Sequence, residues 1–222
     1  MDAVLSEAAA MPWRRRASDR TLAREGWIWT LWSVGIVVTF GAPAALLIWI
    51  EPLAAPASVI FAGHGLAVLH LQARRGARGV KPLQAAEGRA ERAALGLLGD
   101  LVGHDSRGLL RETGLALERG RLGAWLVGQE GAVLVRWGGR RVHSFCVRVG
   151  EGGDLPPGDR VAHLLLALRE DEEGFATVAN GTFSGATWRL GWQLPPRARR
   201  ALRRAGSLAA RRPVSPLRPE SA

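Results

Sequence analysis

Between Trp27 and Leu71 the chain carries a single charge, Glu51, and that acid is followed at once by Pro52. The run ahead of it, residues 27–50 (WIWTLWSVGIVVTFGAPAALLIWI), is about 24 residues long. At 1.5 Å per residue it makes roughly 36 Å of helix, enough to cross a hydrocarbon core of about 30 Å. The run behind it, residues 55–71, is near the lower length limit for a span and has Pro56 in its first turn, where a missing N–H costs nothing. Pro52 disfavours helical geometry at Glu51, and a carboxylate is stable in headgroups or water and costly in lipid. The pattern therefore predicts an α-helical transmembrane hairpin over residues 27–72, with its turn at Glu51-Pro52.

Past a linker at residues 73–82 the apolar period changes. Ala90, Ala94, Leu97, Leu98 and Leu101 have helical spacing over residues 84–102. A second helix, capped by Asp105 or Ser106, is expected to carry Leu109, Leu110 and Leu117 and to end at Gly120. Residues 123–127, 132–137 and 141–149 then read as strands, separated by GQEG and GG, which suggests an antiparallel meander. A loop, GEGGDLPPGD, leads to a helix over residues 159–171 with Val161, Leu164, Leu165 and Leu168 on one side. Residues 175–179 and 187–192 are expected as two last strands around the loop NGTFSG. Residues 83–196 thus read as an α+β domain: two helices, a meander, a helix and final strands.

Charge sets the expected orientation. Arg14, Arg15, Arg16, Arg20 and Arg24 precede the first run, and Arg74, Arg75, Arg78 and Lys81 follow the second, whereas the turn has no basic residue. By the positive-inside bias both termini are expected in the cytoplasm of a bacterium-like cell, in a multi-pass protein of its inner (plasma) membrane. Trp27, Trp29, Trp32 and Trp49 lie near the two ends of the first run, where indoles favour the membrane interface. A cleaved signal peptide fits less well, because the run is too long and a second run follows it. The single Cys146 excludes an intramolecular disulfide framework.

The formal net charge of +10 invites a nucleic-acid reading, but residues 83–196 hold 13 Arg against 14 Asp and Glu. The excess lies in Arg74, Arg75, Arg78 and Lys81, and in a tail, residues 197–222, with 8 Arg and 1 Glu. The tail is expected to form a short basic helix over residues 196–205 on a membrane surface and to be disordered beyond it. Anionic lipid headgroups are the expected partner of both clusters. The tail lacks the aromatic residues that stack nucleic-acid bases, and a general Ala/Gly/Arg bias accounts for the same arginines without any function.

Candidate chemistry is sparse. His143 and Cys146 fall on opposite faces of one expected strand and cannot form a nucleophile–base pair without a bulge. His104-Asp105, with His163, is the candidate set for a membrane-tethered, metal-dependent hydrolase, although its spacing is not that of a tight metal site. The acids of residues 169–174 (REDEEG) lack the alternation of a calcium loop and read as a solvated helix end. The loop at residues 150–159 has no phosphate-binding glycine string and carries acids that repel phosphate. In the second span, Ser58, Ala62, Gly63 and Ala67 have the small-residue spacing of close helix packing, within the hairpin or in a homo-oligomer. His64 is expected to hydrogen-bond to the first helix or to a partner subunit, and His70 to reach the interface. Trp188 and Trp192, flanking Arg189, are read as cross-strand pairing or as a contact surface.

The stretch from Gly88-Arg89-Ala90-Glu91 through LGAWLVGQEGAVLVRW resembles the start of nuclease-related NERD domains. That resemblance implies an acid on the first strand and an acid-x-Lys on the second. Here those stretches are Gly123-Ala124-Trp125 and Val135-Arg136-Trp137, so it implies a relative without the metal-binding acids. The leading expectation is a non-enzymatic membrane-anchored protein, without cofactor or metal, whose domain binds a protein or small ligand in a regulatory or scaffold role.

Overall fold

The charge-free region builds two long helices, α1 (Asp19–Ile50) and α2 (Ala55–Arg78), joined by one 3-10 turn, Pro52–Ala54, in a computed structural model that describes residues 15–84, 88–147 and 155–211. Ser18 starts α1 with a capping box in which Ser18 Oγ accepts from Thr21 N and Thr21 Oγ1 accepts from Ser18 N. Glu51 ends α1 in extended backbone, and its carboxylate accepts from Leu53 N at 3.2 Å to cap the turn. Pro52 and Pro56 each occupy a first-turn position. The acid and the two prolines are thus the turn itself. The helices pack side by side, and Phe40 of α1 meets Phe61 of α2 at 5.0 Å between ring centroids.

Both helices run further than their apolar stretches, α1 from Asp19 and α2 to Arg78. These extensions are stems that enter the folded domain. The domain holds α3 (Arg89–Leu101), α4 (His104–Thr113), β1 (Ala116–Arg119), β2 (Gly123–Val127), β3 (Gly131–Arg136), β4 (Arg141–Cys146), α5 (Pro157–Glu170), α6 (Glu172–Val178), β5 (Asn180–Ala186), α7 (Thr187–Gln193) and α8 (Pro196–Ala210). Among the described residues this is an α+β fold of eight α-helices and one five-stranded antiparallel sheet, ordered β1-β2-β3-β4-β5. The meander registers, such as Trp125 opposite Leu134 and Leu134 opposite His143, follow from the tight turns between strands.

Both faces of the sheet are covered, which is why β2 is buried along its whole length. Trp125, Leu134 and Phe145 point into a core with Leu98 of α3, Leu165 of α5 and Phe175 of α6. Leu126, Val133, Val135 and Val142 point into a second core with Ala73 of α2, Leu190 of α7 and Ala201, Leu202 and Ala205 of α8.

Three local expectations are corrected. The second helix stops at Thr113, because Gly114 adopts φ +70° and its amide closes the helix onto Leu110 O; residues 116–119 become β1, paired with β2. A Cβ at Gly114 would also lie 2.8 Å from the Leu83 backbone. Residues 175–179 and 187–192 are not strands: 172–178 and 187–193 are helices α6 and α7, and the NGTFSG loop between them is β5. Asp171 caps α6 by accepting from Gly174 N at 2.8 Å. In α7, Trp188 and Trp192 share one exposed face while Leu190 is buried opposite, so an alternation that reads as a strand is satisfied by i, i+4 helical spacing. Finally, the helix expected over residues 196–205 is present, but it runs further and is packed on the sheet. It is α8 as far as Ala210, with Ala198, Ala201, Leu202, Ala205 and Ala209 buried against the sheet. Residues 212–222 of the tail, most of the loop at 150–159 and the expected strand end at 148–149 lie outside the described residues.

Candidate functional site

Among the described residues two of the cavities stand out as candidate binding sites, and the first is at the junction of hairpin and domain. β5 is an edge strand, and consecutive residues on it point to opposite faces. Ser184 faces Gly26 of α1, while a Cβ at Gly76 of α2 would overlap the Phe183 side chain. The two stems therefore straddle β5, one on each face, and cover the sheet edge that would otherwise be free to pair.

Polar contacts lock this arrangement. Arg141 Nη1 donates to Gly26 O at 2.8 Å and to Thr30 Oγ1 at 3.1 Å. Arg189 donates to Ser33 Oγ at 2.9 Å and to Leu69 O at 3.3 Å, and its guanidinium lies 5.5 Å from the Phe183 ring. Gln193 Nε2 meets His70 Nδ1 at 3.0 Å. At the start of α1, Ala17 N donates to Thr177 Oγ1, Arg16 pairs with Asp171 and Glu173, and Asp19 pairs with Arg136. A cavity of about 470 Å³ opens beside this junction, between α1, the ends of β4 and β5, and α7.

The second place is a groove of about 970 Å³ between α3, α4, the residues after α2 and the start of α8. Leu83, Leu95, Leu110 and Pro196 give it apolar walls, and Gly96 and Gly99 leave open space in its floor. Asp100, paired with Arg107 at 3.4 Å, stands at its rim together with Arg111, Arg197 and the acid Glu112.

The residues expected to carry chemistry are dispersed. His104 is exposed on α4 and His163 is exposed on α5, whereas His143 is buried in the sheet under α1. Asp105 lies in the first turn of α4, and its side chain is outside the described set. No group of three or more metal-ligating side chains gathers among the described residues. Cys146 ends β4 opposite Gly131 and Asn180. Glu91, the helix acid of the NERD-like stretch, is buried and accepts from Gly158 N at 3.2 Å through both carboxylate oxygens, anchoring the start of α5. Of the REDEEG acids Glu170 is exposed at a helix end, but Asp171, Glu172 and Glu173 are structural, correcting their reading as solvated: Glu172 accepts from Arg121 N at 2.7 Å, Leu122 N at 3.0 Å and Trp125 Nε1 at 2.5 Å. It thereby fixes the β1–β2 turn.

In the hairpin, Ser58 is buried and Ala62 partly buried, but Gly63 and Ala67 are exposed, facing away from α1. The close approach is at Gly65 instead, where a Cβ would stand 2.8 Å from Phe40 Cβ. The signal missed in the sequence is the continuing set 58, 62, 65, 69, 73 and 76, which stays in phase with the packing face down to the stem. His64 Nδ1 lies 2.8 Å from Ile60 O of its own helix, not against α1. Trp27, Trp32 and Trp49 are exposed, whereas Trp29 is partly buried and packs edge-on to Phe183. Arg74, Arg75 and Arg78 are exposed on the α2 stem, and Lys81 pairs with Glu130 at 3.2 Å.

No known protein family, no curated protein and no solved structure matches the chain.

Proposed function

We propose that this is a two-pass membrane protein with both termini in the cytoplasm, and that its hairpin holds an α+β binding module against the membrane face in a regulatory or scaffold role. The observation that carries this reading is the exposed apolar surface of the hairpin. Two helices are long and apolar enough to cross a membrane, with mean hydropathies of 2.1 and 1.6, yet only 11% of each apolar window is buried. A soluble protein would hide such helices, whereas Leu31, Trp49, Ile50, Val59 and Leu66 are exposed along the length of this hairpin. Since the domain grips both stems at the open end of the hairpin, a crossing hairpin leaves domain and termini on one side. The basic residues of the stems favour the cytoplasm for that side. The groove of about 970 Å³ is within the size range of small-ligand sites, and its apolar walls with a rim of mixed charge suit an apolar ligand or peptide.

Cysteine labelling tests the topology. Cys146 is the only native cysteine and sits in the domain, while Leu53 is 88% exposed in the turn. A membrane-impermeant maleimide is expected to modify L53C (in a C146S background) in spheroplasts, and to modify Cys146 only after permeabilisation. Labelling of Cys146 before permeabilisation would overturn the orientation.

A further inference from the structure

We propose that the cavity at the junction of α1, α7 and the β4–β5 end is a binding site for one anionic phospholipid, which it holds by its phosphodiester and the upper part of an acyl chain. The inference rests on the proposed insertion of the hairpin and goes beyond it by assigning a site and a ligand chemistry.

Depth comes first. From Ser33 to the turn at Ile50 the helix rises roughly 26 Å, close to the thickness of a hydrocarbon core. Ser33 and Leu69 therefore stand where lipid tails give way to headgroups, and Arg189 binds both. At the same level α7 presents Trp188 and Trp192, 57% and 70% exposed, in a T-shaped pair 4.8 Å apart. Indoles favour that depth, and Trp49 marks the opposite interface.

Two unlike walls make the cavity specific. Val34, Val37, Leu69 and Trp188 form an apolar wall continuous with the exposed face of the hairpin. Arg140, Arg141 and Arg189 form the other wall. Arg141 and Arg189 are held in place by neutral acceptors, carbonyl and hydroxyl oxygens, and among the described residues none of the three is in a salt bridge. Two prealigned guanidinium groups and the exposed Arg140 beside them leave positive charge uncompensated at a point where lipid phosphates lie. Guanidinium groups bind phosphate through strong charge-assisted hydrogen bonds, and basic pockets at the cytoplasmic ends of membrane helices take anionic headgroups. A free phosphate would use the cationic wall and leave the apolar one wet, and a choline headgroup would find no acid.

Native mass spectrometry of the full chain in detergent, with equimolar phosphatidylglycerol and phosphatidylcholine added, tests this. One phosphatidylglycerol per chain is expected, favoured about tenfold over phosphatidylcholine. Arg140→Gln, whose side chain makes no hydrogen bond among the described residues, and Trp188→Ser are each expected to cut that preference several-fold. Arg92→Gln, exposed on α3 and outside both the cavity and the basic clusters, is expected to leave it unchanged. Equal retention of the two lipids, or an unchanged preference in both cavity variants, would overturn the site. Displacement of the lipid by millimolar inorganic phosphate would reassign it to a free anion and overturn it equally. Alkaline extraction of membranes reads the hairpin separately: chain that stays in the pellet without lipid preference refutes this inference alone, whereas chain released to the supernatant refutes the insertion on which it rests.

Discussion

His143 shows how the stems control single residues. It sits on β4 between Leu134 and Ser184, is 2% exposed, and its Nε2 has no hydrogen-bond partner among the described residues. Burial pushes its pKa down to about 3, with the charges of Arg136 and Arg141 adding to the effect and Asp19 opposing it. The imidazole is therefore neutral in the folded protein at any physiological pH, which removes it as a cationic group for binding phosphate. In the unfolded chain it takes a proton near pH 6.5, so between pH 6.5 and about 3 the unfolded state holds more protons than the folded one. The stability this group leaves intact above pH 6.5 is lost as pH falls through that window, by about 2 kcal/mol between pH 7 and pH 5. His143→Leu keeps the volume and removes the titration. Melting of the two proteins in detergent is expected to show a smaller drop in Tm from pH 7 to pH 5 for the variant, and parallel pH dependence would contradict the buried neutral imidazole.

Among the elements, α8 is the helix its sequence suggests but longer, and it is packed on the sheet. Its eye-catching residues are arginines, but its packing face is Ala198, Ala201, Leu202, Ala205 and Ala209, and alanine carries little hydropathy signal. Small side chains let the helix lie close on β2 and β3, so the face is built by contact distance rather than by bulk. Ala201→Leu is expected to overpack this contact and destabilise by about 1–3 kcal/mol, whereas Arg203→Ala on the exposed face is expected to change little. A surface-bound or disordered tail predicts no difference between the two in thermal melts.

The same contrast explains which other elements were legible. The hairpin, the turn at Glu51-Pro52 and the β2–β3–β4 meander are written in long apolar runs, prolines and short apolar runs bounded by glycine-containing turns, which are local signals. β1, β5 and α6 are decided by distant partners: the Gly114 cap packed on Leu83, the two stems closing on Phe183 and Ser184, and Asp171 and Glu172 tying α6 to its own start and to the β1–β2 turn. Of the candidate site, Trp188, Arg189 and Trp192 stand out in the sequence. Their proximity to Val34 and Leu69, more than a hundred residues away, does not.

For the molecule as a whole, the hairpin and the domain are one folded unit and not an anchor with a passenger. Ala17 and Leu22 of the first stem lie in one core, Ala73 and Val80 at the second stem lie in the other, and α8 closes the latter. A fragment of residues 83–196, the domain as its sequence limits suggest, would expose Phe183 and Ser184 where the stems sit and Leu126, Val133 and Val135 where α8 sits. It would also free the β5 edge for pairing with other chains. Such a fragment is expected to be insoluble or to lack a cooperative melt, whereas the full chain in detergent is expected to unfold in one transition that carries domain and stems together. The decisive comparison is hydrogen exchange on the full chain: equal protection of β4, β5 and residues 19–30 supports a single unit, and early opening of the stems with a protected sheet would show that the domain stands alone. On the proposed insertion, a tilt or separation of the two helices would be felt where the domain holds the stems, at Arg141 of β4, Ser184 of β5 and Arg189 of α7.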